Sequence, residues 1–223
     1  VRTVLIASGG GTDADSIMTA WRNGCIPEVE IVGLISTKEG VGCLEKAQKH
    51  SINTIVVNYS SYKISSYLFQ VTVANKITGL QADLVFLVGC IHKILAIKGV
   101  DMYNIHPADI HKHGGDGMYG LKVHEHVLED IWDIVNRRKA GIDDQFYTYP
   151  IIHQAVEEYD AGEILLLGTV PIPKEIVRCF VGGKFELNKA AELLQKVVLP
   201  HEWLMLPVAV RMAARRILER KGG

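Results

Sequence analysis

Four runs of consecutive apolar residues constrain the fold more than any other feature. They are Val4-Leu5-Ile6-Ala7, Ile31-Val32-Gly33-Leu34-Ile35, Thr54-Ile55-Val56-Val57 and Leu84-Val85-Phe86-Leu87-Val88, and none alternates apolar with polar. A strand with one face in water alternates, because successive side chains point to opposite faces; a strand apolar throughout needs cover on both. Between the runs lie helical segments, Ala14 to Asn23 closed by Gly24, Gly42 to His50, and Ile64 to Thr78. Strand and helix repeated in this order give an α/β chain with a doubly wound, mostly parallel sheet. With 223 residues, 48% of them hydrophobic, one core is well supplied, so a single domain over residues 1–223 is expected.

The second half changes pattern. Leu121 to Arg138 reads as a helix, and Tyr147 to Val156 with Ile164 to Val170 as a C-terminal hairpin. The closing helix, about Pro200 to Arg220, would bury Leu204, Val208, Met212 and Ile217 and leave Arg211, Arg215, Arg216 and Arg220 solvated. Tyr67, Trp132 and Trp203 stand among apolar neighbours and are expected in the core or an interface.

Charge narrows the partners. Twenty-four basic against 25 acidic residues leave a net charge of −1, which gathers neither nucleic acid nor a membrane surface; a small-molecule or protein partner is favoured. Cys25, Cys43, Cys90 and Cys179 lack CxxC spacing and read as buried thiols of a reducing compartment. With no apolar run of about 20 residues and no signal pattern at Val1-Arg2-Thr3, the expected location is the cytoplasm. His111-x-His113 and His124-x-His126 raise a zinc hydrolase as an alternative, but helical residues two apart point to different sides, and no metal is expected. The chain is expected to be a monomer or a homodimer.

Three segments carry candidate chemistry. Asn104 and His106, two apart in Asp101-Met102-Tyr103-Asn104-Ile105-His106, fall on one face of a strand that Pro107 stops. An amide and an imidazole at a strand's carboxyl end can donate to a developing oxyanion, and the imidazole can also move a proton. Asp160 stands beside Gly162 at the hairpin tip. The loop Ser8-Gly9-Gly10-Gly11-Thr12-Asp13, between strand and helix, offers backbone N–H groups to an anion. Each has a structural reading too: a hydrogen-bonded strand-end histidine, a turn aspartate, a tight strand-to-helix turn.

Taken together and in order, Ser8-Gly9-x-Gly11, Asn104-x-His106-Pro107 and Asp160-x-Gly162 resemble the folate-dependent formyltransferases, over most of the chain. The resemblance implies an enzyme of Rossmann-type topology whose co-substrate is 10-formyltetrahydrofolate and whose acceptor is a small primary amine, phosphorylated, namely glycinamide ribonucleotide of purine biosynthesis. It implies that Asn104 donates to the oxyanion, that a protonated His106 stabilises this charge and shuttles a proton, and that Asp160 holds His106 and raises its pKa. The pterin would lie on Gly89, Cys90, Ile91, Lys93, Ile94 and Leu95 and on the turn at Ala140, Gly141 and Asp144. The acceptor would lie on Gly10, Gly11, Thr12, Asp13 and Glu202. The chain departs from the family at Thr12-Asp13, where a Ser-Asn pair is usual, at His92, an apparent extra residue, and at Leu199, where a polar residue often helps bind the ribose phosphate. A formyltetrahydrofolate hydrolase, a transferase with another amine acceptor and a non-catalytic folate- or nucleotide-binding module remain the alternatives.

Overall fold

The computed structural model describes residues 1–222. Five strands, β1 (Arg2–Ala7), β2 (Glu30–Ser36), β3 (Thr54–Val56), β4 (Leu84–Leu87) and β5 (Asp101–His106), run parallel in the order β3-β2-β1-β4-β5. Helices α1 (Thr12–Arg22), α2 (Gly42–Lys49) and α3 (Ser66–Gly79) make the crossovers, a 3₁₀ turn at Tyr59–Tyr62 leads into α3, and the short α4 (Ile110–His113) follows β5. Beyond α5 (Leu121–Asn136), the expected hairpin is divided in two. β6 (Tyr147–Thr148) pairs with β9 (Val170–Pro171) as a separate ribbon, while β7 (Ile151–Gln154) and β8 (Ile164–Leu167) add antiparallel strands beside β5. Pro150 marks the division, since it cannot donate a ladder hydrogen bond.

The unbroken apolar runs are explained by cover on both faces. Leu5, Leu34, Phe86 and Tyr103 pack under Ile17 and Met18 of α1 and under the last helix, α7 (Leu187–Gly222). Val4, Ile6, Ile35, Val85 and Met102 pack against Phe69, Val73 and Ile77 of α3. A third cluster joins α5 to α6 (Lys174–Val181) and the first half of α7. Fully burying one such side chain is worth about 1.5–3 kcal/mol, so a polar residue within these strands has a local cause.

Helix α7 spans Leu187–Gly222, starting well before the expected Pro200 and holding both Pro200 and Pro207 in its interior. An interior proline costs about 3 kcal/mol in an isolated helix. Packing overrides it here, because Ala190, Leu194 and Val198 are buried against α5 before the first proline, and Leu206, Val210 and Ala213 against the sheet side after it. The buried face is the expected one only in part: Ile217 is buried and Met212 packs against the core, but Leu204 and Val208 are 74% and 51% exposed, and alanines at 209, 213 and 214 let the helix approach α1. By length and composition α7 could cross a bilayer, yet this face is packed inside the protein.

The arginine face is paired rather than simply solvated. Arg211 and Arg215 both donate to Glu28 Oε1, at 2.8 and 3.0 Å, and Arg220 pairs with Asp101. Tyr67, Trp132 and Trp203 are at the surface, with Tyr67 68% exposed. The four cysteines are free thiols, but of the expected buried set Cys43 alone is buried; Cys90 and Cys179 are half-buried and Cys25, beyond the end of α1, is exposed.

Candidate active site

The strand order reverses between β1 and β4, which is where open α/β sheets form a ligand crevice at their carboxyl ends. Two loops meet there. The Ser8 N–H donates to the Gly89 carbonyl at 3.1 Å, and the Ser8 hydroxyl accepts the Ile91 N–H at 3.2 Å. A cleft of about 300 Å³ opens beside them, extending over the end of β5.

On its floor, β5 delivers Asn104 and His106 to the cleft as the alternation requires. His106 is only 3% exposed, and its Nε2 lies 2.9 Å from the His113 carbonyl. A carbonyl can only accept, so this nitrogen carries a proton and the exchangeable position is Nδ1. Nδ1 faces Asp160 Oδ2 at 3.6 Å. Burial lowers the His106 pKa, and Asp160 and the His113 carbonyl only partly oppose it. The expectation of a raised pKa and a resting imidazolium is thus corrected: desolvation outweighs the carboxylate, and the resting ring is neutral.

Asp160 reaches the site from the tip between β7 and β8, at a backbone φ of 51°. Its Oδ2 accepts the Gly115 N–H at 2.9 Å and its Oδ1 lies 3.3 Å from His153 Nε2. Burial pushes this carboxyl up, but His153, His106 and the Gly115 N–H together hold it below the usual carboxylate range, so it stays ionised. Two glycines make room for it. A Cβ on Gly114 would meet the Ile110 carbonyl and Asp160 Cβ, and one on Gly162 would overlap the Gln154 carbonyl.

His153 is the residue that sequence reasoning missed. It is the register partner of Asn104 across the β5–β7 pair and is buried in the cleft wall. Its Nδ1 donates to the Gln154 carbonyl at 3.0 Å, leaving Nε2 to face both Asp160 and, at 3.4 Å, the Asn104 amide nitrogen. The available signal was a histidine in the otherwise apolar run Ile151-Ile152-His153. His124, from α5, also lines the cleft; burial, then His106, push its pKa down to about 4, and its Nδ1 has no partner. His126 points away and is exposed, and among the described residues no group of three or more His, Cys, Asp or Glu is placed to hold a metal ion.

The expected binding residues divide. Gly89, Cys90, Ile91, Lys93 and Ile94 line the cleft, together with the extra residue His92, which stacks on Tyr59 with ring centroids 3.9 Å apart. Leu95 does not line it, because the chain turns away after Ile94. Ala140, Gly141 and Asp144 lie outside as well: the Gly141 N–H is tied to Asp144 at 2.7 Å and Asp143 to Arg178 of α6, which holds this turn at the far end of α5. Of the glycine loop only Asp13 reaches the cleft wall, where it is joined by Glu202 of α7; Gly10, Gly11 and Thr12 lie behind it. Gly11, at φ 71°, is pressed against Cys43, where a Cβ would collide.

An α/β sheet with an Asn, His and Asp at the ends of β5 and the β7–β8 connection defines a class. The formyl transferase family model matches residues 1–177, and the chain belongs to this family. It is 28% identical over 187 residues to the chloroplastic phosphoribosylglycinamide formyltransferase of Arabidopsis thaliana, covering 79% of this chain and 59% of that one. To the Vigna unguiculata protein of the same name it is 25% identical over 227 residues, covering 100% and 64%. The chain thus spans about three fifths of these plant relatives. Among solved structures, glycinamide ribonucleotide transformylase 1 of Symbiobacterium toebii superposes with a TM-score of 0.75 at 22% identity, covering 96% of this chain and 88% of that one. Phosphoribosylglycinamide formyltransferase of Brucella melitensis gives 0.68 at 24% identity, covering 96% and 95%.

Proposed function

We propose that this chain transfers the formyl group of 10-formyltetrahydrofolate to a primary amine, and that the acceptor is glycinamide ribonucleotide, as the names of its relatives indicate. The observation that carries the chemistry is the convergence of Asn104, His106 and Asp160, with His106 fixed so that only Nδ1 exchanges a proton.

Each step follows from those atoms. The amine nitrogen attacks the formyl carbon, and the carbonyl oxygen takes up the negative charge of a tetrahedral intermediate. Asn104 Nδ2 lies 3.4 Å from His153 Nε2 on the cleft floor. An N–H of this amide donates to that oxygen, a contribution commonly worth ~3 kcal/mol of barrier. Neutral His106 accepts the amine's proton at Nδ1, beside the Asp160 carboxylate that stabilises the resulting imidazolium. The same proton returns to the departing folate nitrogen as the intermediate collapses. Proton gain and loss at one buried site keep water out of the exchange.

The two ends of the cleft suit the two reactants. Ile91, Ile94 and the backbone of the Gly89 loop offer a partly apolar slot edged by peptide groups, which fits the flat, edge-polar ring of a pterin. Asp13 and Glu202 stand at the other end, beside the start of α1. The test is turnover of 10-formyltetrahydrofolate with and without glycinamide ribonucleotide. Formylated product appearing only with the amine, and lost in His106→Ala, is expected. Equal turnover without the amine identifies a hydrolase, and binding without turnover a non-catalytic module; either overturns the proposal.

A further inference from the structure

The cleft is acidic. Asp13, Asp116, Glu157, Glu158 and Glu202 line the cleft besides Asp160, and Lys93 is the one lysine or arginine among the described residues that does so. Lys93 is committed elsewhere, 5.2 Å from the centre of the Tyr159 ring. Leu199, also in the wall near Glu202, brings no charge.

Asp13 and Glu202 form the deepest part of this charge. Glu202 is 5% exposed, lies in the cleft wall, and has no hydrogen-bond partner in the protein among the described residues. Asp13 Oδ1 is buried and also unpartnered. Burial pushes both carboxyls up, Asp13 to about 6 with the Trp203 indole partly opposing, and the Asp13 charge adds to the rise at Glu202. Apart from the Trp203 indole on Asp13, the pair thus faces the cleft with hydrogen-bonding capacity that the fold leaves unused.

The same carboxyl sits in the first turn of α1, whose start has Gly11 as its cap and no side-chain capping bond. An incoming phosphate and the Asp13 carboxylate therefore compete for one helix N-terminus. The loop has little room to yield: a Cβ on Gly11 would collide with Cys43, and one on Gly42 would stand 3.0 Å from the Gly10 carbonyl. Loop and α2 are in direct contact, so an anion cannot be accommodated by moving the backbone away from Asp13.

We propose that Asp13, with Glu202 opposite, is an acceptor-selecting residue: it weakens the loop's hold on a phosphate dianion and opens the site to primary amines whose far end carries uncharged hydroxyls. The carboxyl pair accepts hydrogen bonds from such hydroxyls as it cannot from a phosphate dianion. This rests on the formyl transfer reading and narrows its acceptor class: glycinamide ribonucleotide is accepted, but with little advantage over its dephosphorylated riboside.

The experiment compares the protein with Asp13→Asn and, should that variant fold poorly, Asp13→Ser. Initial rates are measured with glycinamide ribonucleotide and with its riboside, and inorganic phosphate binding is followed by calorimetry. Asp13→Asn should raise the ribonucleotide-to-riboside ratio of kcat/KM tenfold or more, through KM rather than kcat, and tighten inorganic phosphate in parallel. A purely structural role for Asp13 would move both acceptors together. An unchanged ribonucleotide-to-riboside ratio, or equal phosphate binding by the two proteins, overturns the proposal. Absence of formyl transfer to either amine overturns the functional reading instead, and the phosphate titration then still decides on Asp13.

Discussion

Replacing Asp160 by Asn tests the site at its most exacting point. The amide keeps an oxygen to accept the Gly115 N–H, 2.9 Å away in the native protein, so the loop retains its tie. What is lost is the charge 3.6 Å from His106 Nδ1. At an effective dielectric of about 20, Coulomb's law assigns roughly 4–5 kcal/mol to two unit charges at that distance. Because the resting ring is neutral, this energy acts on the imidazolium formed during reaction and not on the ground state. The expected result is a fall in kcat of roughly a thousandfold with KM little changed, at about 1.4 kcal/mol per factor of ten. Steady-state kinetics together with a melting curve provide the check. A kcat within tenfold of the native value, with an unchanged melting temperature, would refute the idea that this carboxylate stabilises a charged His106.

Other outcomes follow from the same geometry. His153→Phe leaves the Asn104 amide without its strand-facing partner, and kcat should drop about tenfold, the worth of roughly one hydrogen bond, with His153→Gln restoring part of it. Gly162→Ala drives a methyl group into the Gln154 carbonyl and should cost on the order of 1–3 kcal/mol in a denaturant melt, together with activity, because the Asp160 turn shifts. His106 has a pKa below 6.5 when folded, so the unfolded chain binds more protons between the two values and stability rises with pH there; kcat/KM should likewise fall as pH drops through the lowered pKa, and His106→Asn should flatten that limb. Asp13 titrates the opposite way: its pKa rises from 3.8 to about 6 on folding, so its contribution falls as pH increases through that window, and Asp13→Asn should melt higher than the native protein at pH 8 but not at pH 3.5.

The parallel sheet was legible because burial on both faces leaves a pattern no other architecture shares, and Asn104 and His106 were legible because alternation fixes their face. Asp160 was legible through the resemblance carried by Asp160-x-Gly162; by itself it read as a turn residue. His153 was not, since its place opposite Asn104 depends on the β5–β7 register, which has no signature in spacing. The start of α7 was missed because Pro200 reads as a first-turn residue, while the packing of Ala190 and Leu194 on α5 that carries the helix through it is a tertiary fact. The turn at Ala140 to Asp144 was assigned by resemblance alone. Nothing in its own residues opposed its separate attachment to α6 through Arg178.

These differences separate the two halves of the cleft. In the catalytic half three groups are each fixed by a backbone position and by a bond: His106 and His153 by their strands and the His113 and Gln154 carbonyls, Asp160 by its turn and the Gly115 N–H. Such groups cannot drift without breaking a buried hydrogen bond, which costs about 1–3 kcal/mol for each orphaned partner. In the acceptor half, Asp13 Oδ1 has no partner and the Trp203 indole is what engages that carboxyl, so replacing Asp13 breaks at most that one contact. A fold built this way can keep its reaction while its acceptor changes. Under the proposed function, the residues that would select the acceptor are accordingly the unsatisfied ones, and those that would carry the reaction are already bonded.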